Sequence, residues 1–316
     1  MSNVEPIVFE NRNGLKLFGV IHEPPVNNRK NVAILLLSPG IKMRVGPNLL
    51  YKIMTRCFVE LGFTVVRYDF YGLGDSEGEL TEEILPDVYN HIEVGRYVDD
   101  TIDGMDWVEE NYGYKNFILS GLCGGAITGL LAASKDERVS GLLSLGITPV
   151  LASSAANTSA YMTQGQLEDM RKTYLGKLFN LKAWYRLLTF QSDYSVMWKI
   201  LLMPYNKYKA IKSKKDKGSD APNKEEIDDN SNPLFPPAFF NMLTNKRKHL
   251  LIFGGGDRLL WEFNEKFVSR YEHELQEHKD QYRVCVVENA NHVLSYKSWQ
   301  DKMLDYSREW LKDYYC

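Results

Sequence analysis

Phe117-Ile118-Leu119-Ser120-Gly121-Leu122-Cys123-Gly124-Gly125 is an apolar run that breaks into a glycine-flanked cysteine and continues into the small-residue stretch Ala126 to Ala133. The run predicts a buried strand, the small-residue stretch predicts a closely packed helix, and the glycines mark a sharp turn between them. G-x-C-x-G at such a turn has the form of a nucleophile elbow. The glycines leave room beside the central residue, which is held at a strained backbone with its reactive atom exposed. The helix that starts there adds unpaired N–H groups and the positive end of its dipole, and both favour an anion such as a thiolate at Cys123.

An elbow nucleophile needs a base, an orienting acid and an oxyanion hole, with the triad in the chain order nucleophile, acid, histidine. Leu250-Leu251-Ile252-Phe253 ends in Gly254-Gly255-Gly256-Asp257, which puts a carboxylate on the loop leaving a late strand, so Asp257 is the expected acid. Val284-Cys285-Val286-Val287 leads into Asn289-Ala290-Asn291-His292, so His292 is the expected base. The stretch Gly146 to Gln166, after an earlier strand-like run, contains no Asp or Glu and offers no competing acid. Glu288 lies too near its strand end to reach around the His292 ring. The Gly124 N–H is one expected oxyanion donor, and the loop Ser38-Pro39-Gly40-Ile41-Lys42 supplies the other. Lys42 and Arg44 are candidate contacts at the mouth, where surface charge and a clamp on a substrate carboxylate or phosphate are both open readings.

On these residues, with Arg44-Val45-Gly46, the run Arg67-Tyr68-Asp69-Phe70-Tyr71-Gly72-Leu73-Gly74-Asp75-Ser76-Glu77-Gly78 and the Glu262-Phe263 pair after Asp257, the chain resembles the α/β-hydrolase superfamily. Within it the chain is similar to the hydrolases associated with the exosortase A system, which carry a similar Gly-Leu-Cys elbow. The likeness covers most of residues 32 to 150 and 248 to 312. It implies an α/β-hydrolase fold, with a mostly parallel central sheet flanked by helices and an inserted helical lid. It also implies Ile41 N–H as the second oxyanion donor. Gly124-Gly125 departs from the bulkier residue of that subfamily, which changes the space beside the nucleophile. Asp69 is expected to tie its own loop together.

The 316 residues are 44% hydrophobic, enough for one catalytic domain with an insertion. A net charge of −3 gives no footprint for nucleic acid or an anionic membrane surface, and neither partner is expected. The start, Met1-Ser2-Asn3-Val4-Glu5-Pro6, lacks a basic and then apolar leader, and no apolar stretch approaches the roughly 18 residues of a span, so the expected location is cytoplasmic. The four cysteines show no metal-ligand or C-x-x-C spacing, which suits a reducing compartment. Cys57 and Cys285 read as core and Cys316 as a free terminus, leaving Cys123 as the reactive one. No metal or redox cofactor is implied, because the first strand is not followed by G-x-G-x-x-G and no paired histidines occur.

Strand and helix patterns alternate over residues 1 to 148 and again over 248 to 316, and these make the core. Ile7 to Phe9 and Leu15 to Ile21 predict a hairpin; Val32 to Leu37, Phe63 to Tyr68, Phe117 to Leu119 and Val139 to Leu145 predict strands; Pro47 to Leu61 and Val94 to Glu110 predict helices. Residues 149 to 247 lack that alternation and read as a helical lid rich in aromatics. Its charged stretch near 212 to 232 reads as a mobile loop. Trp184 and Trp198 of the lid, with Leu122 beside the nucleophile, are candidate substrate contacts. His91 reads as a surface or core histidine before a pocket contact.

The residues together predict acyl transfer through an acyl-thioester on Cys123, which favours a thioesterase or esterase. The substrate is a small acyl compound, on coenzyme A or a carrier protein if it arrives as a thioester. An acyltransferase or cyclase with the same triad is the alternative. A non-catalytic scaffold is the alternative of another class, and Asp257 and His292 at loop tips argue against it.

Overall fold

Eight strands assemble in the computed structural model, which describes residues 3–152 and 230–316, into one sheet of order β1-β2-β4-β3-β5-β6-β7-β8. The hairpin β1 (Asn3–Glu10) and β2 (Lys16–Glu23) is antiparallel, and β2 also runs antiparallel to β4 (Thr64–Tyr68). The remaining pairings, through β3 (Ala33–Leu37), β5 (Phe117–Leu122), β6 (Val139–Leu145), β7 (Lys248–Gly254) and β8 (Tyr282–Val287), are all parallel. Strands β3, β4 and β5 are buried along their whole length, which is why β3 reads as an unbroken apolar run and the other two as largely apolar ones.

The strand period of two divides the core between the two faces. Ala33, Leu35 and Leu37 face one cluster, whereas Ile34 and Leu36 face the other. The first cluster is closed by α2 (Leu85–Glu93), α3 (Val98–Tyr112), α4 (Gly124–Lys135) and α5 (Phe235–Thr244). The second is closed by α1 (Leu50–Glu60) and the last helix (Lys297–Tyr315), through Met54, Phe58, Met303, Trp310 and Leu311. Cys123 packs against both, because it stands where β5 ends and α4 begins.

Two expectations give way here. The helix expected over Val94 to Glu110 is α3, which starts only at Val98, and it is preceded by a helix that the sequence did not announce, α2, with Gly95 at φ +107 between them. Helix α2 opens with Pro86 in its first turn, where a missing N–H costs nothing. The boundary at residue 248 moves as well, since Ser231–Cys316 belongs to the same compact unit as the first half of the chain. Pro236 and Pro237, which resemble loop residues in sequence, occupy the first turn of α5. That helix buries Phe235, Phe239, Met242 and Leu243 beside the sheet. Trp184, Trp198 and the charged stretch over 212 to 229 lie outside the described residues. Among the described residues no helix is long and apolar enough to cross a membrane.

Candidate active site

Cys123 adopts φ 54 and ψ −115, a conformation that an L residue holds only when its surroundings impose it. The neighbouring glycines do so. A Cβ on Gly121 would lie 2.3 Å from the Gly125 carbonyl carbon, and one on Gly125 would lie 2.4 Å from Leu37 O. A larger residue at Gly121 would push β5 from α4, and one at Gly125 would push α4 from the end of β3. The Cys123 N–H donates to Leu145 O at 2.9 Å, and its carbonyl accepts from the N–H groups of Ala126 and Ile127. Strand β5 is fixed immediately before the elbow by Tyr51, whose buried hydroxyl accepts from Leu122 N at 2.8 Å and donates to Leu37 O at 2.7 Å. One tyrosine thus ties the elbow strand to the strand that leads into the Ser38 to Lys42 loop. Nothing in the sequence around Tyr51 marks this role, since it occupies an apolar position of an amphipathic helix.

Asp257 and His292 meet where two loops are laced together. Gly255 N donates to Val287 O at 2.8 Å and Gly256 N to Ala290 O at 2.9 Å. Asp257 caps the short helix Arg258–Phe263, its Oδ1 accepting from Leu259 N at 3.1 Å. That leaves Oδ2 to take the hydrogen bond from His292 Nδ1 at 2.7 Å. The carboxylate is almost fully buried, and the imidazole is one-third exposed. Burial alone would lower the His292 pKa. Hydrogen bonds to Asp257 and Cys123, with the charges of both, outweigh it and raise the pKa from 6.5 to about 10. That Cys123 contributes to the rise sets the ring beside the elbow residue. By contrast, burial pushes the Cys57 and Cys285 thiols up, so neither of them is poised as a nucleophile.

Gly124 and Ile41 carry the expected oxyanion donors. A Cβ on Gly124 would lie 2.7 Å from Gly40 Cα, so the elbow and the Ser38 to Lys42 loop are in direct backbone contact. Gly40 has φ +61, which turns the chain there. A further glycine, which the sequence did not mark, underlies the site. A Cβ on Gly146 would lie 3.0 Å from His292 Nδ1 and Cε1 and 3.1 Å from Asp257 Oδ2.

The substrate-contact candidates fare differently. Arg44 does not present a free guanidinium. It is paired with the fully buried Asp69 and with Asp75, at 2.6 Å for the latter, so the arginine closes the Asp69 to Ser76 loop instead of clamping an anion. Asp69 also accepts the backbone N–H groups of Arg44 and Asp75. Lys42 is exposed. Leu122 is 2% exposed, with its side chain in the core on the α1 side of the sheet, because the strand period directs it away from the elbow. His91 is exposed beside Glu82. Among the described residues no three His, Cys, Asp or Glu side chains form a metal-binding group.

A family described as alpha/beta hydrolase fold matches residues 34–297. The chain is also 30% identical over 113 residues to a polyketide transferase, GrgF, from a Penicillium species, a match that spans 35% of either protein. Among solved structures, an esterase of Pyrococcus furiosus superposes with a TM-score of 0.59 at 13% identity, covering 99% of this chain and 92% of that one. GrgF from Penicillium sp. sh18 superposes with a TM-score of 0.53 at 17% identity, covering 99% of both chains. At these identities the superpositions speak for the fold.

Proposed function

Since the chain belongs to the alpha/beta hydrolase fold family, we propose that it is a cysteine-dependent acyl hydrolase acting on thioesters and activated esters, with Cys123 as nucleophile, His292 as acid and base, and Asp257 as the group that orients the imidazole. The observation that carries this reading is the His292 Nδ1 to Asp257 Oδ2 bond of 2.7 Å, on a ring whose pKa is raised in part by the strained elbow residue Cys123. The likeness of the Gly-Leu-Cys elbow to the exosortase A system-associated hydrolases belongs to the same proposal. So does the choice of acyl group by the aromatic residues of the inserted segment, which rests on sequence alone.

In this reading Cys123 reacts as the thiolate, its proton held on His292. The sulfur attacks the acyl carbon directly, and the carbonyl pair moves onto oxygen, where the amides of Gly124 and Ile41 receive it. As the tetrahedral species collapses, the leaving group departs with the His292 proton, leaving an acyl-thioester on Cys123. The neutral imidazole then takes a proton from water, hydroxide oxygen adds to the acyl carbon, and the thiolate leaves to restore the pair. A thiolate is a good leaving group, so the first tetrahedral species partitions forward best when the substrate's own leaving group is also a thiol. Thioesters are therefore preferred over alkyl oxygen esters.

The partial match to a protein named as a polyketide transferase favours a second reading, in which an alcohol or amine takes the place of water. The same proton transfers serve it. Steady-state hydrolysis of a matched thioester and oxygen ester tests the proposal. Wild type should prefer the thioester, and Cys123→Ala and His292→Ala should each lose about 10³-fold or more. Retained turnover in Cys123→Ala would refute it.

A further inference from the structure

Helix α2 lies over the junction of the elbow and the Ser38 to Lys42 loop. Ile92 Cγ2 comes within 3.0 Å of the position a Cβ would take on Gly124, so α2 packs directly on the elbow. One turn earlier, the Tyr89 ring lies against Gly40, with Cε1 at 3.0 Å and the hydroxyl at 3.8 Å from the position of a Cβ on that glycine. Gly40 immediately precedes Ile41, whose amide is the second expected oxyanion donor. Tyr89, Ile41 and Cys123 are all half-buried and pack on one apolar cluster. Among the described residues the Tyr89 hydroxyl has no hydrogen-bond partner.

Resting on the acyl-hydrolase reading above, we propose that Tyr89 is a further catalytic residue, its hydroxyl donating a hydrogen bond to the acyl oxygen as negative charge builds on it, beside the amides of Gly124 and Ile41. A phenol is suited to this because it donates without carrying charge in the ground state, so it adds attraction chiefly as the oxyanion forms. Burial first, and then the nearby charges of Cys123 and Glu93, raise the Tyr89 pKa, which keeps the proton on the hydroxyl through the working range. Gly40 is required for the arrangement, since a side chain there would displace the ring.

Tyr89→Phe keeps the ring against Gly40 and removes only the donor. Two rates separate the roles. Hydrolysis of an acyl thioester builds an oxyanion, whereas alkylation of Cys123 by iodoacetamide does not. The expected result is a fall in kcat of about 10²-fold, the usual loss for one oxyanion donor, with KM changed little and the alkylation rate unchanged. A kcat within threefold of wild type would overturn the proposal. A parallel fall in alkylation would also overturn it, because the hydroxyl would then act on the thiolate. Wild-type protein run beside the variant must carry a transient acyl mass on Cys123. If it does not, the acyl-hydrolase reading fails and the role of Tyr89 falls with it, whereas acylated wild type with an unaffected Tyr89→Phe would refute the tyrosine alone.

Discussion

The His292 ring rests directly over Gly146, so that a single methyl group on that glycine would come within 3.0 Å of Nδ1. Gly146 has φ +52 and donates its N–H to Ile252 O at 2.8 Å, which fixes its place at the end of β6. Gly146→Ala should therefore cost about 1–2 kcal/mol through the backbone alone. It should also shift the imidazole enough to lower kcat about 10²-fold. Thermal unfolding and steady-state kinetics on one preparation check both. Unchanged kcat would mean that the His292–Asp257 geometry does not limit the reaction.

The pH dependence follows from the raised His292 pKa. A histidine whose folded pKa lies above its unfolded value contributes stability that is complete below about 6.5 and is lost as pH rises through about 10. The proton that His292 gives to the leaving group in the proposed mechanism is lost over the same range. Acylation, read as kcat/KM, should fall on an alkaline limb near pH 10, and Asp257→Asn should move that limb to lower pH. An activity that rises with pH through 6 to 7 would instead mark an imidazole that rests neutral.

Arg44 is predicted to matter for stability and not for recognition. Its removal leaves Asp69, fully buried, with its hydrogen bonds to backbone N–H groups but without its cation. Arg44→Ala should cost about 3 kcal/mol. The ratio of kcat/KM between a carboxylate-bearing and a neutral acyl thioester should stay that of wild type, whereas selective loss of the anionic substrate would restore the arginine to a clamp.

Glu93, at the end of α2, links both ends of the inserted segment. Its Oε2 accepts from Ala152 N at 2.5 Å and its carbonyl from Asn232 Nδ2 at 2.7 Å, beside the Val150–Ser231 bridge. Burial raises the Glu93 pKa to about 8. The charge of Glu262 adds to the rise, and the Ala152 hydrogen bond and Arg258 oppose it. Here too the folded pKa exceeds the unfolded one, so the contribution is complete below about 4.5 and disappears as pH rises through about 8. Glu93→Gln should match wild type near pH 5 and exceed its stability at pH 9 by roughly 1–3 kcal/mol. Denaturant unfolding at the two pH values would show it, and equal losses for both proteins would contradict it.

Cys123, Asp257 and His292 could be picked out in the sequence because each sits where an apolar run meets glycines or a turn, and the parallel strands could be read because burial on both faces leaves largely apolar runs. Helix α5 was hidden by Pro236 and Pro237, which look like loop residues and act as first-turn residues. Helix α2 was hidden because it is only nine residues long and opens with Pro86, which resembles a loop residue in sequence. Gly146, Tyr51 and Tyr89 owe their places to contacts with residues far away in the chain, and no local pattern encodes such contacts. Arg44 was legible as a residue near the mouth but not as one already occupied by Asp69 and Asp75, since pairing is settled only when the loops meet.

The central claim is a covalent acyl-thioester at Cys123, and intact-protein mass spectrometry after brief mixing with a series of acyl thioesters tests it most directly. Wild type should gain the mass of one acyl group, mapped to the peptide containing Cys123, and lose it as free acid or transferred product appears. Cys123→Ala should show neither adduct nor turnover. Turnover by Cys123→Ala, or an adduct mapped to another residue, would contradict the account.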